Sequence, residues 1–113
     1  MQYILVSMKT MLVETYRIKS KDLVFKHDKL IDEWLKYVID NAKSKELKIP
    51  PHKTYSVQGD ELGRMFMVYF DDIEHQSEWM GNVVDDKFHE YDAKFQTMIE
   101  DFKATMITNT KTY

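Results

Sequence analysis

The stretch GDELGRMFMVYFDD, Gly59 to Asp72, decides how the rest of this chain is read. Glycines and acidic residues suited to a hairpin turn come first. Six large apolar residues, Met65 to Phe70, follow without interruption, and Asp71-Asp72 closes the run as a helix cap would. Strand side chains alternate between the two faces of a sheet, so an unbroken apolar run makes both faces oily. Both faces then need cover. With Phe66, Val68 and Phe70 on the bare face they predict an interface with another chain, while Met67 and Tyr69 turn toward the helices. A shift of one residue in parity would exchange the two sets.

Upstream, MLVETYRIK (Met11 to Lys19) alternates as a first strand, with Val13, Thr15 and Arg17 on one side and Leu12, Glu14, Tyr16 and Ile18 on the other. Ser20 or Asp22 can cap the helix after it. Leu23, His27, Leu30, Ile31, Trp34, Leu35, Val38 and Ile39 recur at three- and four-residue spacing and predict a long amphipathic helix, which Pro50-Pro51 ends at the latest. His52 to Gln58 alternates weakly and pairs as a hairpin with the strand that begins after GDELG. After the cap at Asp71 or Asp72 comes a helix with Ile73, Trp79, Met80, Val83 and Val84, interrupted near Gly81-Asn82. A further piece from about Asp85-Asp86 places Phe88, Tyr91, Phe95, Met98, Ile99 and Phe102 on one stripe. ATMITNTKTY, Ala104 to Tyr113, reads as the last strand. Met1 to Thr10 is open to reading as an extension or as part of the fold, with methionines at 1, 8 and 11 as alternative starts.

The order is β-α-β-β-α-β over a single domain, residues 1–113: a ferredoxin-like α+β fold, with a four-stranded antiparallel sheet and the helices on one face. The uncovered face, rich in large apolar groups, predicts a homodimer with sheet packed against sheet. Bulk properties agree with a folded chain: 43% hydrophobic, 31% charged and no cysteine. The missing cysteines exclude a disulfide scaffold and a thiolate metal site, and fit a cytoplasmic protein. No apolar run is long enough to span a bilayer. The net charge of −3 argues against nucleic acid as partner. Charge is divided unevenly: residues 1–53 carry eleven Lys/Arg against seven Asp/Glu, net +4, and residues 54–113 carry five against twelve, net −7. The acidic half offers a contact surface for a partner.

MLVETYRIKSKD, GDELGRMFMVYFDD and the Trp-bearing helix after each of them resemble the NIPSNAP-like branch of the dimeric α+β barrel superfamily, over about Met11 to Tyr113. The resemblance implies a homodimer whose two sheets form a barrel, with a pocket in each subunit between sheet and helices. Its members include cofactor-independent monooxygenases, haem-degrading enzymes and dehydratases, so the fold alone does not choose an activity.

No phosphate-binding glycine loop, HExxH or GxSxG pattern is present, and no cofactor or metal is expected. His75 and Glu78, at i and i+3, have no second pair to complete a metal site and read as a solvated helix face. His27 and His89 read as structural histidines, and His52, in a loop after two prolines, carries no signal. Tyr16, Trp34, Met67, Tyr69 and Trp79 are the candidate pocket walls, because flat and polarisable side chains suit a small apolar or aromatic molecule. Arg17 and Asn82 are the candidate polar groups to orient it. Two functions fit these residues: a homodimer that binds such a molecule, with monooxygenase-like activity as its finer form, or a non-catalytic interaction module with an acidic contact surface.

Overall fold

A computed structural model of the chain describes residues 8–113. The first seven residues of the Met1 to Thr10 segment lie outside them, and Thr10 itself opens the first strand. The elements are β1 (Thr10–Ile18), α1 (Val24–Ser44), β2 (His52–Val57), β3 (Asp60–Phe70), α2 (Ile73–Val83), α3 (Asp86–Met98) and β4 (Ile99–Thr108). The four strands form one antiparallel sheet in the order β2-β3-β1-β4, with the helices packed on one face. This is the ferredoxin-like plan, with its second crossover made of two helices.

Each boundary has a local cause. Gly59, at φ +81°, makes the tight β2–β3 turn, a conformation that L side chains avoid. Gly63 lies against the same turn, where a Cβ would come within 2.9 Å of Val57. Asp72 and Asp85 cap α2 and α3, their carboxylates accepting from His75 N and Phe88 N at 2.8 Å each. The break between these helices therefore falls at Val84-Asp85, just beyond the expected Gly81-Asn82. At α1 neither Ser20 nor Asp22 caps with its side chain; a short 3-10 turn, Lys21–Leu23, leads in instead. At the far end of α1, Glu46 takes the left-handed conformation, φ 58°, and Leu47 N donates to Ala42 O at 3.0 Å.

The largest departure from expectation is the end of α3. The helix stops at Met98, and β4 starts at Ile99 rather than Ala104. Ile99 and Phe102, three apart, mimic helical spacing, yet they share the inner face of a strand because of a β-bulge. Ile99 pairs with Ile18, Glu100 with Arg17 and Lys103 with Thr15, so Asp101 and Phe102 together stand opposite Tyr16. Asp101, at φ 56°, is the extra residue.

Register fixes which side chains lie beneath the helices. Leu12 stands opposite Val68, Glu14 opposite Phe66, and Thr10 opposite Phe70. Phe66, Val68 and Phe70 therefore point into the helix layer, where Val68 and Phe70 join Val38, Ala42, Trp79 and Val83 in one buried cluster. This corrects their assignment to the bare face: a run apolar on both sides carries no parity of its own, and β1 supplies it. A second cluster, Tyr16, Ile18, Leu30, Phe95 and Ile99, fills the other end. Met11, Val13, Met65, Met67 and Tyr69 occupy the face without helices, beside exposed Tyr55, Val57 and Ile107.

Candidate functional site

Between the two clusters, which Trp34 bridges, a cavity of about 300 Å³ remains. Its floor is the inner face of the sheet: Leu12, Glu14 and Tyr16 of β1, Phe66 and Val68 of β3, His52 of β2, and Phe102 and Ala104 of β4. The roof is Trp34 and Val38 of α1, Trp79, Met80 and Val83 of α2, and Phe88, Asp92, Phe95 and Gln96 of α3. Small Ala104 beside Glu14 leaves room that a larger residue would fill. Trp34 is the centre of the aromatic wall, with ring centroids 4.9 Å from Phe88 and 5.7 Å from Phe95. Trp79 meets the His52 ring edge-on at 5.5 Å.

Few polar groups interrupt this surface. Strand alternation puts the Glu14 carboxyl on the apolar side of β1, and burial pushes its pKa from 4.5 up to about 7, the Asp92 carboxylate adding to the rise. Asp92 accepts from the Gln96 amide at 3.3 Å. His52 Nδ1 donates to Pro50 O at 2.7 Å, which leaves Nε2 as an acceptor, and burial lowers the pKa of the ring. The Trp34 indole Nε1–H is buried and has no acceptor among the described residues. Buried polar groups are normally paired, so this unpaired N–H is a cost that the fold carries beside the cavity.

Tyr16 and Ile31 also line a second, more polar cleft with Thr54, Ser56 and Arg64. There the Tyr16 hydroxyl lies 2.6 Å from His27 Nε2, and His27 Nδ1 lies 2.9 Å from Asp28 Oδ1. A consistent tautomer has Nδ1–H donating to the carboxylate and the phenol donating to Nε2. Burial lowers the His27 pKa and raises that of Tyr16.

Of the residues singled out from sequence, Tyr16, Trp34 and Trp79 meet in the cavity wall, joined by Phe66 and Val68. Met67 and Tyr69 lie on the opposite face, where the Tyr69 hydroxyl is 3.3 Å from that of Tyr55 and Lys53 covers its ring at 5.2 Å. Arg17 lies on that face too and pairs with Asp60. Asn82 is exposed on α2, donating to Glu78 O at 2.7 Å and receiving Lys45 Nζ on its carbonyl at 2.8 Å. Neither Arg17 nor Asn82 enters the cavity; besides Tyr16 and the two indoles, its polar side chains are Glu14, His52, Asp92 and Gln96. One of these had a signal in the sequence: Glu14 shares a strand face with Leu12, Tyr16 and Ile18. His75, read as solvated, ties the loop before α2, accepting from Asp71 N at 3.1 Å with Nε2 2.9 Å from Lys48 O.

No protein-family model matches this sequence, and no curated protein matches it. Crystal structures share its fold. SnoaB, a cofactor-independent oxygenase from Streptomyces nogalater, superposes with a TM-score of 0.70 at 6% identity, over 92% of this chain and 95% of that one. A NIPSNAP family protein from Agrobacterium tumefaciens gives a TM-score of 0.66 at 15% identity, over 90% and 86%. A conserved protein of unknown function from Bacteroides thetaiotaomicron gives 0.63 at 13% identity, over 91% and 99%. At these identities the likeness is one of fold alone, a four-stranded antiparallel sheet with its helices on one face.

Proposed function

We propose that this chain forms a homodimer in which each subunit binds a small, flat, largely apolar molecule between sheet and helices. The observation that carries the reading is the cavity of about 300 Å³, at the lower end of the range for small-molecule sites, with an ionisable carboxyl set in an apolar wall. A merely structural core would close such a space, since protein interiors pack to crystal-like density. A glutamate drawn largely out of water, with no cation paired to it, is costly to keep. Its position beside aromatic rings makes it the group that meets the polar end of a ligand.

Dimerisation rests on the sheet face without helices. Met11, Val13, Met65, Met67 and Tyr69 are each half-buried there, and Tyr55, Val57 and Ile107 each remain two-fifths or more exposed. A second copy covers them by packing sheet on sheet about a twofold axis, the commonest symmetry of such pairs. Among the described residues no helix is long and apolar enough to cross a membrane, so a bilayer-spanning role for these helices is not part of the reading.

Monooxygenase-like turnover is the finer form of the proposal. It is supported by the fold likeness to an oxygenase together with a proton acceptor, Glu14, inside the cavity. Native mass spectrometry of freshly purified protein tests the whole reading. The expected result is a two-chain species carrying a small aromatic or apolar adduct that is lost in the Trp34→Ala variant. A strictly single-chain species without adduct, unresponsive to added flat apolar probes, would leave the interaction-module reading standing in its place.

A further inference from the structure

The lining of the cavity also specifies the charge of what it holds, given that the cavity is a binding site. No lysine or arginine lines it. Its charged groups are two carboxyls, Glu14 on the floor and Asp92 on the roof, brought together from β1 and α3. His52 adds an acceptor at one end, because its Nδ1–H is committed to Pro50 O. No cationic donor in the lining offsets these acceptors. The rest of the wall is aromatic, and the faces of Trp and Phe rings attract cations.

We infer that the ligand is a hydrophobic amine bound as its ammonium ion, the charge lying between Glu14 and Asp92 and the hydrocarbon body among Trp34, Trp79 and Phe88. Each carboxylate accepts an N–H of the ammonium, and charge-assisted bonds of this kind are stronger than neutral ones. An anionic ligand would instead meet two like charges in a low-dielectric space. A neutral alcohol would fill the same volume without balancing either charge.

Naphthylmethylamine, naphthylmethanol and naphthoate share one ring system and differ in charge, and titration of the full chain with each, read by tryptophan fluorescence and calorimetry, is the test. The amine should bind at least about tenfold more tightly than the alcohol at about pH 8, with the acid weakest. Its advantage should shrink about tenfold on going to about pH 6, where Glu14 holds its proton while the amine stays charged. The titratable groups facing Glu14 are Asp92 from α3, Tyr16 along its own strand and His52 at the end of the cavity. Its neighbours Phe66 and Ala104 on the flanking strands, and Trp34 on α1, do not ionise. A proton gained by His52 would repel the amine and not the alcohol, and the Glu14→Gln chain, in which His52 is kept and Glu14 no longer titrates, separates the two effects. Glu14→Gln should lose most of the amine preference at about pH 8 and its dependence on the Glu14 proton, and Asp92→Asn should lose part of the preference. Equal binding of amine and alcohol to the wild-type chain, or tightest binding of the acid, overturns the inference and leaves the cavity reading intact. No binding of any of the three overturns both.

Discussion

Replacing Glu14 by glutamine should stabilise the protein, increasingly so as the pH rises above 4.5. In the unfolded chain the carboxyl ionises around its ordinary value of 4.5, whereas in the fold burial holds the proton on to about 7. The native state therefore binds more protons than the unfolded state across that window, and stability falls as pH rises through it. A rise from 4.5 to about 7, at about 1.4 kcal/mol per pH unit, amounts to about 3 kcal/mol lost by about pH 8. Glutamine has the same shape and remains neutral. The variant should match wild type at about pH 4 and exceed it by about 3 kcal/mol at about pH 8. His27 and His52 work in the opposite sense: burial lowers their pKa values, so their share of stability grows as pH rises toward 6.5. They are common to both proteins and cancel in the difference. Urea unfolding at one fixed protomer concentration, monitored by circular dichroism across the pH range, gives the two curves. Parallel curves would show that the carboxyl is hydrated, and the account of the cavity floor would be wrong.

Asp85→Ala removes the cap on Phe88 N and the acceptor of the Tyr37 hydroxyl, and should cost about 2 kcal/mol in the same assay. Glu46→Gly, at φ 58° past the end of α1, should stabilise by about 1 kcal/mol, read as a raised melting temperature. Met67→Asp should yield folded single subunits by sedimentation, because Met67 lies on the face without helices. Phe70→Asp, at 2% exposure beneath α1 and α2, should fail to fold, and the reverse pairing of outcomes would put Phe66, Val68 and Phe70 back on the bare face.

Much of the architecture could be read from the chain because periodicity and punctuation agree there. The α1 stripe, the Asp72 and Asp85 caps and the glycine turn each rest on local chemistry, and each recurs in the fold. Parity in Met65 to Phe70 could not be read, since alternating apolar with apolar leaves nothing to count. The pairing of Glu14 with Phe66 resolves it, and that pairing is a tertiary fact. The beginning of β4 was hidden by Ile99 and Phe102, whose spacing suits a helix as well as a bulged strand. In the cavity, Tyr16, Trp34 and Trp79 were legible as aromatics on faces already assigned. His52 and Asp92 enter it only because β2 and α3 converge there, which no local pattern encodes.

The bulge in β4 also predicts where the backbone tolerates shortening. Excising Asp101 would leave Glu100 opposite Arg17 and Phe102 opposite Tyr16, so no neighbour changes sides. Excising one residue between Lys103 and Met106 would instead swap inside for outside on one flank of the cut. A codon-by-codon deletion scan through this strand should therefore find a single permissive notch, at the residue whose backbone is already the odd one out.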